Sequence, residues 1–423
     1  MVDRKLNYQL LQFFSANLIV PKNALAFLGY NYFNVRKRYM KYLQKGLLTE
    51  KRSYNENLLR ITQKGLLTFS SMDYSYHSEI ANYLKRYVKY SDSKQRQIRF
   101  VYSSAMIYHL IPTITKQYLE SIEKDILNLN SSHFLNSVEN SFEFSKQHLN
   151  SSVPALLQYD SLTDKIRRHI IYLSTQNPNH NWFITMRELR MLDKHKPGSY
   201  GLKKMSLIRA QGILHLNMKN FIVYNSMSKR LKTSCRYENQ FIQFAETILR
   251  QSIDSAIFFA KSYNPAYKTI CEAPDSSLQR VLIDGSNLYE HQYYVPLTTG
   301  GAKQLDIYAI PEFREISAHY LIPEKYRDHA KNVIFDGETE LHDLYYLGFY
   351  CDLIEIRKLY RSMQGVRKGT KINIFCFSWQ AKFYHDLFGN TSDITVVEDE
   401  NFISFIRSKI KESITAPRSY RNM

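Results

Sequence analysis

The segment VRKRYMKYLQKGLL, residues 35–48, carries two stripes of side chains at helical spacing. The first stripe is apolar and has one residue every four positions, at Val35, Tyr39 and Leu43. The second stripe is basic and has the same spacing, at Lys37, Lys41 and Lys45. Because two positions along a helix turn the side chain by about 200°, the two stripes lie on opposite sides. Arg36 and Arg38 widen the basic side, so the segment predicts a helix that buries one face and exposes cations on the other.

The segments around this helix predict the element order of a winged helix-turn-helix domain. Residues 4–17, RKLNYQLLQFFSAN, have apolar residues at helical spacing. Residues 21–29, PKNALAFLG, predict a second helix that Pro21 opens and Gly29 closes. Residues 46–62, GLLTEKRSYNENLLRIT, predict a β-hairpin with a basic, polar tip, and residues 63–69, QKGLLTF, predict a further short helix.

This combination of elements indicates a DNA-binding domain over residues 1–71, with the basic helix as its recognition helix. The apolar stripe would anchor the helix while the cations meet phosphates and base edges in the major groove. The alternative is a helical subdomain whose charged face is only solvated. An RNA partner is disfavoured because the chain has no base-stacking sheet motif and no pattern typical of double-stranded RNA binding.

The positive charge of the chain is concentrated towards its beginning. The formal net charge is +18. Residues 1–100 carry 18 Lys and Arg against 6 Asp and Glu, a net of +12, and residues 101–270 carry 21 against 12, a net of +9. Residues 271–423 carry 18 against 21, a net of −3. This distribution favours a polyanionic partner for the first part of the chain and a different role for the last part.

The composition is typical of a folded protein from a reducing compartment. Hydrophobic residues make up 44% of the chain, too many for an intrinsically disordered one. The cysteines are widely spaced, at Cys235, Cys271, Cys351 and Cys376, which argues against a zinc site and a disulfide framework. No segment approaches the ~20 consecutive apolar residues of a membrane span. We therefore expect a cytoplasmic protein without membrane insertion.

The rest of the chain predicts two further regions, which gives an α+β protein overall. Residues 72–175 predict a mainly helical linker domain. Residues 176–423 predict an α/β domain, with a hairpin and a helix in 176–270 and alternating strands and helices in 275–423. The predicted strands are residues 280–287, 331–337, 371–377 and 393–399, and the predicted helices are residues 343–363, 381–389 and 401–410. This alternation favours a mostly parallel sheet.

Acidic residues follow several of these predicted strands. Asp284 and Asp336 each follow the apolar part of one strand, and Glu398 or Asp399 follows that of another. The carboxyl ends of parallel strands meet at one edge of a sheet, where converging carboxylates can hold Mg²⁺ or Mn²⁺. Residues 281–289, VLIDGSNLY, are similar to the opening strand of PIN/NYN-type nucleases, which implies that Asp284 is a metal ligand. The alternative is that each acidic residue is a strand-end or helix-cap carboxylate.

Several segments, in order along the chain, resemble the mobilisation proteins of Gram-positive plasmids and integrative conjugative elements, which are grouped with the replication-relaxation family. They are FITMRELRML (183–192), RAQGILHLNMKNFIVYN (209–225), SMSKRLKTSCRYENQF (226–241), KINIFCFSWQAKFYHDLFG (371–389) and DITVVEDENFISFI (393–406). Residues 58–67, LLRITQKGLL, resemble that family's RLTxKG segment between wing and helix. The resemblance implies a DNA-binding protein at an origin of transfer or replication. It also implies, for some relatives, a relaxase whose acidic residues and lysine bind a metal.

Our leading hypothesis is therefore a double-stranded DNA-binding protein of a mobile genetic element, with a role in mobilisation. The predicted DNA contacts are Arg36, Lys37, Arg38, Lys41 and Lys45 in the groove and Lys51 and Arg52 at the wing. Further phosphate contacts are predicted at Lys194, Lys196, Lys203 and Lys204. One alternative is a Mg²⁺- or Mn²⁺-dependent nuclease or relaxase with Asp284 and Asp336 as catalytic residues, and another is a winged-helix transcriptional regulator. Other mobilisation or conjugation proteins are candidate partners, and no cofactor is predicted other than Mg²⁺ or Mn²⁺ for a nuclease.

Overall fold

The chain forms two compact units. The N-terminal unit comprises Met1–Met218 with Gln240–Gln251, and the C-terminal unit comprises Lys219–Asn239 with Ser252–Met423. The structure, a computed structural model, describes residues 10–11, 13–14, 17, 19–53, 55–72, 94–110, 181–186, 210–216, 219–225, 235–249, 251–271, 288–310, 312–327, 336–338, 344–365 and 371–415. Mixed helix and sheet, as the sequence predicts, is present in both units. None of the described helices is long and apolar enough to cross a membrane.

The N-terminal unit contains a small antiparallel sheet surrounded by helices. Its elements, in chain order, are β1 (Ile19–Pro21), a 3₁₀ helix (Lys22–Leu28), α1 (Tyr32–Gln44), β2 (Leu48–Ser53), β3 (Glu56–Ile61), α2 (Gln63–Met72) and α3 (Lys94–Leu110). The strand order is β1-β3-β2. Two further strands, β4 (Trp182–Thr185) and β5 (Ala210–Leu216), pair antiparallel with each other.

Both ends of α1 are set by local hydrogen bonds. Asn31 caps the first turn, since its side-chain oxygen accepts a bond of 2.9 Å from the N–H of Phe33. At the other end, the N–H of Gly46 bonds to the carbonyl of Leu43 and the N–H of Leu47 bonds to the carbonyl of Tyr42. Gly46 has a positive φ of 67°, and this pair of bonds is a Schellman motif. The helix therefore begins and ends earlier than residues 35–48 predict.

The predicted hairpin is confirmed as β2 and β3. Its register runs from Leu48 opposite Ile61 to Ser53 opposite Glu56. Asn55, at the tip, has a positive φ of 61°, which Asn tolerates better than most residues. The strand β1 is too short for its pattern to be recognised in the sequence, and it pairs with β3 from Ile19 opposite Arg60 to Pro21 opposite Leu58.

One continuous core joins the helices of this unit to its sheet. Its most buried members include Leu10, Phe14, Val20, Leu25, Val35, Leu59, Val101 and Ala105. The last two belong to α3, in the region that the sequence predicts to be a linker domain. This helix therefore packs into the N-terminal core rather than forming a core of its own. The rest of residues 72–175 lies outside the described residues, apart from Met72.

The connection from β3 into α2 requires a glycine. Thr62 accepts a hydrogen bond of 3.0 Å from the N–H of Gly65, and its hydroxyl donates to the carbonyl of Gly46 at 2.8 Å. A Cβ atom on Gly65 would lie 2.3 Å from the carbonyl oxygen of Leu47 and 2.9 Å from a side-chain atom of Ile61. Thr62 and Gly65 thus hold the first turn of α2 directly against the backbone of Leu47, with no room for a side chain at residue 65.

The C-terminal unit contains parallel strands, as the sequence predicts. In one group of strands, β7 (Ser255–Ala260) pairs parallel with β6 (Lys219–Asn225) on one side and with β8 (His291–Pro296) on the other. In a second group, β10 (Leu344–Leu347), β11 (Ile372–Phe377) and β12 (Ser392–Val397) are parallel, and β9 (Gly337–Glu338) is antiparallel to β10. The helices that follow α3 are α4 (Cys235–Leu249), α5 (Asn264–Cys271), α6 (Thr299–Tyr308), α7 (Phe313–Leu321), α8 (Glu324–Arg327), α9 (Leu353–Gly365), α10 (Ser378–Phe388) and α11 (Asp399–Thr415).

The predicted helix over residues 343–363 is wrong in its first part. Residues 344–347 are instead the strand β10, in which Leu344, Tyr346 and Leu347 are buried. The sequence also does not predict β7 and β8, so parallel pairing starts earlier in the chain than residue 275. The predicted strand at 371–377 is confirmed by β11, and the one at 393–399 is confirmed by β12 as far as Val397, since Asp399 already begins α11. Residues 280–287 and 331–335 lie outside the described part of the chain.

We expect Gly65→Ala to destabilise the N-terminal unit by about 1–3 kcal/mol, because the new methyl group overpacks against the Leu47 carbonyl. Faster hydrogen–deuterium exchange in peptides from residues 35–66 of the full chain would report the change. Lys64→Ala, at an exposed position of the same helix, is the matched control and should change stability by less than about 0.5 kcal/mol. Equal exchange in the two variants would contradict the close approach at Gly65.

Candidate functional site

The predicted basic face of α1 is exposed. On the inner side of the helix, Val35 is completely buried and Tyr39 is 2% exposed. On the outer side, the exposed cations are Arg36, Lys37, Lys41 and Lys45, whereas Arg38 is half-buried. Within the described part of the chain, no ion pair engages Lys37, Lys41 or Lys45. The cations thus point into solvent, as the arrangement of the two stripes predicts.

The hairpin adds cations to the same unit, and its acidic residues are engaged elsewhere. Lys51 and Arg52 are exposed near its tip. Glu50 forms an ion pair of 2.5 Å with Lys22, and Glu56 accepts a hydrogen bond of 3.0 Å from the hydroxyl of Tyr102. Residues 19–72 contain ten Lys and Arg against two Glu and no Asp, a net of +8. The basic charge of this surface is therefore little compensated by its own residues.

Several predicted site residues lie outside the described residues. They are Asp284 and the four lysines predicted to extend the phosphate contacts, Lys194, Lys196, Lys203 and Lys204. Glu398 is exposed at the end of β12 and accepts a hydrogen bond from the side chain of Asn401. The structure gives no contact between Glu398 and Asp336.

Asp336 lies beside the carboxyl end of β10 and is held by an arginine. The guanidinium of Arg314 donates to both of its carboxylate oxygens, at 2.7 and 3.3 Å. The N–H of Leu347 donates to one of the same oxygens at 2.8 Å. Arg314 also donates to Glu355 at 2.7 Å, so it bridges two carboxylates. Burial by itself lowers the pKa of Arg314, but these two carboxylates raise it more, and the guanidinium stays charged.

A histidine and two acidic residues form a second cluster, which shares Glu355 with the first. His291, at the start of β8, lies with Nδ1 2.7 Å from a carboxylate oxygen of Asp352. The other oxygen of Asp352 accepts from the backbone N–H groups of Gln292 and Ile354, at 3.1 and 3.0 Å. Asp352 therefore caps the first turn of α9 and fixes that turn against β8. Ligand atoms of His291, Asp352 and Glu355 all lie within 4.8 Å of one another.

The electrostatics of this cluster favour extra positive charge. With His291 neutral, the two clusters together hold three carboxylates, Asp336, Asp352 and Glu355, and the one guanidinium of Arg314, which gives a net charge of −2. The hydrogen bond to Asp352 raises the pKa of His291, and burial raises the pKa of Glu355. Asp352 is completely buried, while the side chain of His291 is 35% exposed and gives access from solvent. A divalent cation or bound protons can each neutralise the cluster.

Sequence reasoning did not identify this cluster. His291 and Asp352 are 61 residues apart, and no short motif joins them. The pairing of β8 with residue 352, through Tyr293, brings them together. A metal-ligating residue set was predicted instead from Asp284 and Asp336, each of which directly follows a strand-like pattern.

Comparisons with known proteins give no further information about this surface or this cluster. No protein-family model, no curated protein and no solved structure matches the chain. Its function must therefore be inferred from its own residues and their contacts.

We expect Arg314→Met to destabilise the C-terminal unit by about 3 kcal/mol, because it leaves Asp336 and Glu355 as buried charges without their partner. Adding Asp336→Asn and Glu355→Gln should restore most of the loss. Urea unfolding of the full chain measures both effects. Lys371→Ala, which removes an exposed pair with Asp393, is the control and should cost about 0–1 kcal/mol. A similar loss in the control would show that burial of the Arg314 pairs contributes nothing.

Proposed function

We propose that the protein binds double-stranded DNA through a winged helix-turn-helix domain in its N-terminal unit. In this proposal α1 is the recognition helix and the β2–β3 hairpin is the wing. The observation that carries it is the exposed row of cations on α1, opposite a face that is buried in the core. A helix held in this way can enter a major groove without losing its own packing.

The order of elements supports this proposal. Helical residues 10, 11, 13 and 14 precede β1, the 3₁₀ helix, α1 and the hairpin, and the small sheet has the order β1-β3-β2. The hairpin tip carries Lys51 and Arg52, which extend the basic surface beyond the helix. Seven cationic side chains on α1 and the hairpin are predicted to contact DNA, and we expect about six of them to contact phosphates.

We also propose, from the sequence resemblance, that the DNA site is an origin of transfer or replication of a mobile element. Other mobilisation proteins would then be partners at that site. A transcriptional regulator would use the same N-terminal surface, and would differ in binding a promoter instead. Competition between an origin fragment and a promoter fragment from the same element separates these two roles.

The first test is the salt dependence of DNA binding. With about six phosphate contacts, affinity should fall roughly 10³-fold between about 50 and 200 mM salt. The triple variant Lys37→Glu, Lys41→Glu, Lys45→Glu should lose most of its affinity for DNA. The steepness with which log K falls against log salt should decrease by about three. Fluorescence anisotropy with a labelled duplex measures both quantities.

The matched control for this test is Lys261→Glu, Lys358→Glu, Lys382→Glu. These three exposed lysines lie in the C-terminal unit, so the net charge of the control equals that of the α1 triple variant. The control should keep its affinity. Equal losses in the two variants would mean that only net charge matters, and a flat salt response of the wild type would exclude the proposal.

A metal-dependent nuclease is a second candidate function, and the cluster of His291, Asp352 and Glu355 favours it. One imidazole and two carboxylates form a mixed nitrogen and oxygen ligand set, which suits Mn²⁺ better than Mg²⁺. A bound Mn²⁺ would polarise a phosphodiester and activate water. To bind it, Asp352 and Glu355 would exchange their bonds to His291 and Arg314 for bonds to the ion. Asp284 and Asp336 stay predicted catalytic residues.

If this second function is correct, the protein nicks supercoiled DNA in the presence of Mn²⁺, and His291→Ala abolishes both nicking and Mn²⁺ binding measured by calorimetry. His319→Ala is the control, since His319 is an exposed histidine of the same unit that contacts Arg327. Asp336→Ala should abolish nicking if Asp284 and Asp336 are the catalytic residues. It should leave nicking intact if His291, Asp352 and Glu355 hold the metal. Absence of nicking by the wild type under any divalent cation leaves DNA binding as the function.

A further inference from the structure

The outer face of α1 exposes large apolar side chains as well as cations. Phe33 is 71% exposed and Met40 is 42% exposed. Together with Lys37 and Gln44, which are also exposed, they form one straight row along the helix, at spacings of four, three and four residues. We call Phe33, Lys37, Met40 and Gln44 the outer row of α1.

The outer row lies in the middle of the exposed face. Successive residues turn by about 100° around a helix axis, so Arg36 lies on one side of the row and Lys41 and Lys45 lie on the other. The buried residues Val35 and Tyr39 lie on the opposite side of the helix. A row with two exposed apolar side chains, flanked by cations on both sides, matches a DNA groove, where base edges lie between two phosphate backbones.

We propose that the outer row reads A·T base pairs, with Phe33 and Met40 against the 5-methyl groups of thymine and Gln44 against the edge of adenine. The inference rests on the proposed DNA-binding function and adds its base preference. In the major groove, thymine alone presents a methyl group, and an amide side chain such as that of Gln matches the N6 and N7 atoms of adenine. Water exposure of a phenyl ring is unfavourable, and a methyl contact removes part of that exposed surface.

The charge around the row favours DNA over a second copy of the chain as its occupant. A second α1 would bring Lys37, Lys41 and Lys45 against the same three lysines, and like charges in contact oppose association. Residues 19–72 carry a net charge of +8, so the whole surface repels its own copy. A polyanion gains from every one of these cations.

The spacing of the row makes the proposal specific. Phe33 and Met40 are seven residues apart, which is about 10 Å along the helix. For a helix that runs along the groove, this distance corresponds to about three base-pair steps of 3.4 Å. The two thymines in contact should therefore be about three positions apart.

The test compares duplexes that differ only in methyl groups. The full-length wild type is titrated with an alternating dA·dT duplex, with the same duplex carrying deoxyuridine in place of thymidine, and with a dG·dC duplex, at one salt concentration. We expect about fourfold tighter binding to the thymine duplex than to the uracil duplex for each methyl group in contact. The dG·dC duplex should bind more weakly than either.

Variants assign the preference to the outer row. Phe33→Ala should lower the preference for thymine over uracil about fourfold, because the Met40 contact remains. The double variant Phe33→Ala, Met40→Ala should bind the two duplexes with equal affinity, while its salt slope stays that of the wild type. Phe33→Leu keeps an apolar contact and should restore part of the preference. Leu67→Ala is the matched control, because Leu67 is an apolar residue that is 50% exposed on α2 in the same unit. This control should keep the full preference.

The outcomes separate this inference from the function on which it rests. Salt-dependent binding of the wild type without a difference between thymine and uracil overturns the inference and leaves DNA binding intact. A preference that persists undiminished in the double variant Phe33→Ala, Met40→Ala overturns it as well. If Phe33→Ala instead alters the oligomeric state in sedimentation and leaves the preference unchanged, the row contacts a second copy. Failure of the wild type to bind any duplex overturns the proposed function itself.

Discussion

The burial of one face of α1 determines what the rest of the N-terminal surface can do. Val35, Tyr39 and Tyr42 are buried, and the ammonium group of Lys22 lies 5.7 Å from the ring centre of Tyr39. Burial raises the pKa of Tyr42 to about 12, so its hydroxyl stays neutral. With these rings fixed, the helix cannot rotate about its axis. A rotation by a single residue, about 100°, would move cations into the core and apolar rings into water.

The same constraint explains which parts of the surface could be predicted from the sequence. The alternating stripes of residues 35–45 were sufficient to predict the exposed lysines, because helical periodicity alone assigns opposite faces. The start of the helix was not predicted, since residues 29–34 read as a turn. Asn31 is in fact the N-cap, so Tyr32 and Phe33 belong to the helix. Because of this boundary error the outer row was not recognised, since Phe33 can be assigned to a face of α1 only when it is part of the helix.

In the C-terminal unit, the apolar pattern of the sequence predicted β11 and β12, which are flanked by clear helices. It did not predict β7, β8 and β10, whose flanking segments are ambiguous. Residues 343–363 have apolar residues at helical spacing throughout, yet residues 344–347 pair with β11. Tyr345 and Tyr346 favour strands, and pairing with a neighbouring strand overrode the local period. The cluster of His291, Asp352 and Glu355 could not be predicted at all, because the contact between β8 and the start of α9 depends on tertiary packing.

The lysines of α1 differ from the paired charged residues of the C-terminal unit. In the C-terminal unit, Arg314 bonds to two carboxylates, and Lys303 pairs with Glu400. On α1, by contrast, Lys37, Lys41 and Lys45 are neighbours of like charge at four-residue spacing, which destabilises a helix by about 0.2–0.5 kcal/mol per pair. The core of the unit outweighs this cost, but nothing in folding itself requires it. A bound polyanion would remove the repulsion, so the charge pattern is better explained by binding than by stability.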